Sequence, residues 1–235
     1  MTGRTAIAER YAHLGADLVI NYSQDQAGAD ATVALIQGFG VRATAIQGDV
    51  SRVEDVKHLF DTAKAEFGKI DIVVANAGLE LTGLPVSDFS EAQYDRMFGV
   101  NSKGAFLAMQ AAAEHVADDG RIIYISSSTT GYPMPGYALH GGSKVAPQYL
   151  VQVLAYEVGP RGVAVTAILP SATAGAGLHT TVSDDAPIRK FLAEFCPMGR
   201  MSTPDDVANV AEFLASDLSA FVSGQLLLVS GGAAA

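Results

Sequence analysis

Gly120-Arg-Ile-Ile-Tyr-Ile-Ser-Ser-Ser-Thr-Thr-Gly131, followed by Tyr137-Ala-Leu-His-Gly-Gly-Ser-Lys144, decides how this chain is read. Ile122, Ile123 and Ile125 make a short apolar run, which predicts a buried strand. The Ser/Thr/Gly stretch after it predicts a loop, and the segment from Tyr137 the opening of a helix. A hydroxyl cluster at the carboxyl end of a strand is where open α/β sheets bind ligands. His140 and Lys144 are four positions apart, so on a helix they share one face, with Cβ atoms roughly 5–6 Å apart.

Working outward, strands and helices alternate. Residues 4–14 read as a helix with an apolar stripe of Ile7, Tyr11 and Leu14, ended by Gly15. Strands are predicted at 17–22, 41–47, 70–75, 121–126, 162–169 and 225–229. Helices are predicted near 26–37, 52–67, 91–117, 137–159 and 203–216. The last of these opens on Thr203-Pro204-Asp-Asp, which supplies good N-cap chemistry. Several strands are continuous apolar runs, as expected where both faces are buried. The alternation implies an α/β fold: a parallel, doubly wound sheet flanked by helices. Residues 171–200 form a variable region with one or two short helices. No linker, repeat or low-complexity segment interrupts the chain, so residues 1–235 are expected to form one domain.

The composition narrows the function. Hydrophobic residues are 49 % and charged residues 17 % of the 235 positions, which allows a sizeable core and argues against global disorder. The net charge of −10 argues against a broad nucleic-acid-binding surface. Cys196 is the only cysteine, so no intrachain disulfide or cysteine-based metal cluster is expected, and no metal site is assigned. No signal peptide and no membrane span are expected, and a cytoplasmic setting fits.

These motifs resemble the short-chain dehydrogenase/reductase family, which places a serine, a Tyr-x-x-x-Lys pair and an upstream asparagine around a nicotinamide. The resemblance covers essentially the whole chain and implies a Rossmann-like fold. Ser127 matches the family serine, thirteen residues before the tyrosine position; counting back from Gly131 instead favours Ser128. Lys144 matches the lysine, and Asn101, in Gly99-Val-Asn-Ser-Lys-Gly104, matches the asparagine of the proton relay. His140 stands where the family has tyrosine. Histidine can do general acid–base work, but a neighbouring ammonium lowers its pKa. His140 is therefore read as a weak acid, a ligand-binding group or the mark of lost chemistry. Tyr137 lies about one turn upstream and is a poor stand-in; Tyr132 is a further alternative.

The resemblance also assigns a cofactor site. Asn76-Ala77-Gly78 matches the N-A-G motif on the adenine-ribose side, although a tight turn explains the same residues. Asp49-Val50 follows the strand at 41–47, where the family Asp binds adenine; Asp49 also serves as a helix-capping residue. Asn21-Tyr22-Ser23 lacks the acidic residue that would accept from a ribose 2′-OH, which favours NADP over NAD. Arg4 would serve a 2′-phosphate only if the chain start folds back. Pro170 and Thr173 would clasp the nicotinamide, although Ser171 and Gly175 depart from the family pattern.

One feature is missing. The family opens with a strand and a Gly-rich turn that holds the pyrophosphate. Here the readable pattern starts at the helix, with Gly3-Arg4 matching only the end of that turn. The first strand of the sheet is absent, which leaves a gap of about one strand spacing, roughly 4.8 Å, to be closed or filled. The implied activity is NADP-dependent interconversion of a ketone and a secondary alcohol, impaired by these departures. The alternative is an inactive protein on the same scaffold that acts in ligand binding or assembly. The resemblance gives the long helices near 91–117 and 137–159 to subunit contacts and so implies a homodimer or homotetramer, and residues 171–200 would shape the pocket for a small carbonyl or alcohol.

Overall fold

The computed structural model describes residues 3–180, 183 and 186–233, apart from the side chains of Arg4, Leu178 and His179. The order is α1 (Gly3–His13), β1 (Leu18–Tyr22), α2 (Gln26–Gln37), β2 (Ala43–Gln47), α3 (Val53–Phe67), β3 (Ile70–Ala75) and α4 (Glu91–Phe98). Then come α5 (Ala105–His115), β4 (Val116–Ile125), α6 (Ala138–Val158), β5 (Ala164–Pro170), α7 (Pro187–Phe195), α8 (Pro204–Ala215) and β6 (Gln225–Val229). The α/β Rossmann-like alternation expected from the sequence is present, and every strand pairing is parallel.

The predicted helix over 91–117 is three segments. Ser90 opens α4 with a capping box: its hydroxyl accepts from the Gln93 N–H while the Gln93 side chain returns to the Ser90 N–H. Residues Gly99–Gly104 then widen into a π-helical turn before α5 begins. Gly104 meets Val50 there: a Cβ on Gly104 would lie 2.7 Å from Val50 Cγ2. The helix stops at His115, because Val116 turns extended and starts β4 five residues before the predicted strand.

Two parallel sheets, β1–β2 and β3–β4–β5–β6, stand in place of one. β1 and β3 do not pair, so the two sheets are not joined edge to edge. The residues of β1 and most of β3 are half-buried, whereas β5 is almost wholly buried. On one face α1 bridges the two sheets. Ala6, Ile7 and Tyr11 pack with Ile123, Ile125 and Ile168 of the larger sheet and with α8. Ala8 and Ala12 pack with Ile36, Leu18 and Ile20 of the smaller one. Arg10 ion-pairs with Glu212 at 2.8 Å, and the Tyr11 hydroxyl donates to the Ala211 carbonyl. Leu14, predicted in the buried stripe, is exposed, because the helix has ended at His13 and the chain turns at Gly15. On the opposite face α3, α5 and α6 cover β3 to β5 through Val56, Phe60, Met109 and Val151.

Candidate functional site

A cavity of about 740 Å³ opens at the carboxyl ends of the strands, a volume typical of ligand sites. Asn76, Gly78, Ser127, His140, Lys144, Pro170 and Thr173 all line it. Sequence reasoning placed each of these, and the fold brings them together. A smaller cavity of about 450 Å³ sits beyond β1 and β2, lined by Ser23, Asp49, Arg52 and His58. Ala77 and Val50 line neither, and Val50 instead packs against Gly104. Asn21 and Tyr22 also lie outside both cavities. The Asn21 amide donates to the Ile46 and Gly48 carbonyls, and the Tyr22 carbonyl accepts from the Gly48 N–H. These two residues join the ends of β1 and β2. The Arg4 side chain lies outside the described residues.

Lys144 is buried and donates to the Ile125 carbonyl at 2.9 Å, with its ammonium 5.3 Å from the centroid of the Tyr124 ring. A Cβ on Gly78 would lie 3.1 Å from Lys144 Nζ and 3.4 Å from Asn101 Oδ1. Glycine there lets the turn after β3 approach the lysine closely.

Asn101 is fully buried in the π-helical turn. Its Oδ1 accepts from the Leu79 N–H at 2.7 Å, and its Nδ2 donates to the Leu79 carbonyl and to Ser143 Oγ, each at 2.9 Å. The asparagine therefore clamps the turn that carries Gly78. Ser102 supports it: Pro147 has no N–H to offer the Ser143 carbonyl within α6, and Ser102 Oγ donates to that carbonyl at 2.7 Å.

Ser127, two residues past the end of β4, caps a single 3₁₀ turn, accepting from the Thr129 N–H and hydroxyl. Gln148 holds the same loop from α6 by donating to Ser126 Oγ and Thr130 Oγ1, both at 2.8 Å. Ser126 and Ser128 also line the cavity, so three consecutive serines share its wall. At the far side Asp49 Oδ1 accepts from the Ser51 N–H and hydroxyl, which hold its carboxyl below the usual range. Asp49 thus organises the start of α3, and it also faces the smaller cavity.

His140, which the resemblance sets at the proton-donor position, is buried. Burial pushes its pKa down, and the Lys144 charge adds to that; the Glu80 carboxylate and the Leu79 backbone oppose it. Nδ1 is buried with no hydrogen-bond partner. Tyr137 meets the ring edge-on, with centroids 6.5 Å apart, and also lines the cavity.

Sequence reasoning did not single out several lining groups: Glu80 follows the Gly78 turn, while Phe191 and Phe195 come from α7 and stack against each other. Tyr132, named above as an alternative proton donor, faces Phe195 with centroids 5.6 Å apart. A strongly amphipathic pattern in 187–195 was the available signal for α7.

A dinucleotide fits this arrangement. The second-turn residue Ile7 lines the large cavity, so the amino-terminal end of α1 is directed toward it, and no acidic residue stands in that helix's first turn. The positive end of a helix dipole suits a phosphate. Lys144 and the Gly78 turn stand across the cavity, where a ribose would bring its hydroxyls.

Fold and site together define a doubly wound α/β domain that binds ligand at the strand ends. Residues 5–234 match the family model described as enoyl-(acyl carrier protein) reductase. The chain is 38 % identical over 227 residues to an oxidoreductase of Methylorubrum extorquens, covering 97 % of this chain and 91 % of that one. It is 37 % identical over 237 residues to the hydroxynaphthalene reductase-like protein Arp2 of Metarhizium brunneum, with 96 % and 88 % covered. A short-chain dehydrogenase of Burkholderia cenocepacia, solved in complex with NADP, superposes with a TM-score of 0.89 at 32 % identity, covering 97 % of this chain and 91 % of that one. The chain belongs to the short-chain dehydrogenase/reductase family, a family of oxidoreductases.

Proposed function

We propose that this protein binds NADP and interconverts a ketone and a secondary alcohol, with proton transfer weakened by His140. The observation that carries the reading is the convergence of Ser127, His140 and Lys144 on one cavity, with Asn101 clamping the turn beside them. NADPH, when bound, supplies a hydride. Lys144 would hold the ribose hydroxyls, and Asn76, Pro170 and Thr173 would border the nicotinamide. Ser127 would donate to the substrate oxygen and polarise it. His140 would deliver the proton. A neutral imidazole gives up its proton far less readily than an imidazolium, so this step limits turnover at neutral pH.

The apolar wall of Tyr132, Phe191 and Phe195 suits a ketone that carries a ring, in keeping with the name of the hydroxynaphthalene reductase-like relative. We also assign a cytoplasmic homo-oligomer as the working form. No described helix is long and apolar enough to cross a membrane. Phe106, Val145, Tyr149 and Tyr156 are exposed on α5 and α6, the helices that the family resemblance gives to subunit contacts.

His140→Tyr tests the catalytic reading. With NADPH and a panel of cyclic ketones, the variant should oxidise cofactor faster than the parent. Unchanged zero turnover in a variant that binds NADPH would sink it. A second reading, a ligand-binding scaffold without turnover, is supported by the lowered pKa of the buried His140 and the divided sheet.

A further inference from the structure

Glu80 stands at the centre of a polar corner that the family-like residues leave unexplained. It follows Leu79, whose N–H and carbonyl are both held by Asn101, so its backbone is fixed. It lines the large cavity together with Tyr137 and His140. Its carboxylate reaches across to the segment after β5: a Cβ on Gly177 would lie 2.3 Å from Glu80 Oε2. Gly177 leaves room for the carboxylate, and its φ of +54° also favours glycine.

Of the described residues, Lys144 lies one turn along α6, Tyr137 meets the ring edge-on, and Glu80 lines the same cavity from the turn after β3. Among the described residues Glu80 supplies the only negative charge acting on the ring. It also acts on Tyr137, whose hydroxyl it helps to keep protonated, after burial.

We propose that Glu80 is a positioning residue for His140: its carboxylate, held over Gly177 at the cavity wall, stabilises the protonated ring against Lys144 and so makes His140 a usable proton donor. The proposal rests on the catalytic reading above and assigns the group that offsets the loss of tyrosine. In the reductive direction an N–H bond of the imidazolium breaks as the substrate O–H bond forms. The hydride comes from NADPH, and the ring is left neutral beside the carboxylate.

The test is an NMR titration of the His140 ring in the cofactor-free protein. Its signal is identified among the five histidines by its loss in His140→Gln. Glu80→Gln should lower the His140 midpoint by about half a unit or more, because an opposite charge close by favours the charged ring. Glu80→Asp should retain part of the parental value. Gly177→Ala is the second variant, since its new Cβ would force the carboxylate away, and it should also lower the midpoint. Parental midpoints in both Glu80→Gln and Gly177→Ala would overturn the proposal. The titration needs neither cofactor nor turnover. Failure of the ketone assay alone would therefore count against the catalytic reading and leave the pairing standing.

Discussion

Replacing Asn101 with alanine should unsettle the site and the fold together. The side chain is fully buried and is held by the Leu79 N–H, the Leu79 carbonyl, Ser143 Oγ and Met97 Sδ. A neutral hydrogen bond contributes about 0.5–1.5 kcal/mol net, and a buried group left unpaired costs about 1–3 kcal/mol. Leu79 is half-buried, so water can reach part of its backbone, and Ser143 Oγ keeps its bond to the His140 carbonyl. The loss should therefore be about 2–4 kcal/mol rather than the full sum. For a chain of this size each kcal/mol moves Tm by about 2–4 °C, so the midpoint should fall by about 5–15 °C. Far-UV circular dichroism in thermal and urea melts measures both quantities. A loss below about 0.5 kcal/mol would refute the clamp, because that is the range of ordinary surface substitutions.

Three further outcomes follow from single contacts. His140 has a folded pKa below its unfolded value near 6.5, so the unfolded chain binds the extra proton, and stability should fall as pH drops through and below about 6.5. Urea midpoints in that window should flatten in His140→Gln; an equally steep decline in that variant would place the effect elsewhere. Gly104→Ala puts a methyl 2.7 Å from Val50 Cγ2 and should destabilise by about 1–3 kcal/mol, with parental stability contradicting the packing. Thr203→Ala removes the hydroxyl that accepts from the Asp206 N–H at the start of α8, and should cost about 0.5–2 kcal/mol in the same melts, with no change contradicting the cap.

Much of the fold was legible because its signals are local. The apolar runs at 70–75 and 121–126 marked strands, and Thr203-Pro204 marked the start of α8 at the observed residue. The site residues were legible through spacing, since Ser127, His140 and Lys144 need only one strand, one loop and one helix to meet. What stayed hidden depends on contacts between distant segments. The π-helical turn at Gly99–Gly104 brings Asn101 to Leu79, twenty-two positions upstream, and no local pattern announces it. Glu80 looks like any loop carboxylate until Gly177 is found against it. Leu14 fitted the helical period but lay past the helix end, a boundary effect that periodicity does not resolve.

The divided sheet bears most directly on cofactor binding. On the function proposed above, the pyrophosphate of a dinucleotide would be held at the amino-terminal end of α1, the helix that bridges the two sheets. Calorimetric titration of the purified protein with NADPH, and with NADH in parallel, tests the central claim that the cavity is a nicotinamide-dinucleotide site. The account predicts saturable binding of NADPH, tighter than that of NADH, weakened in Lys144→Ala. A folded protein that binds neither cofactor would contradict it.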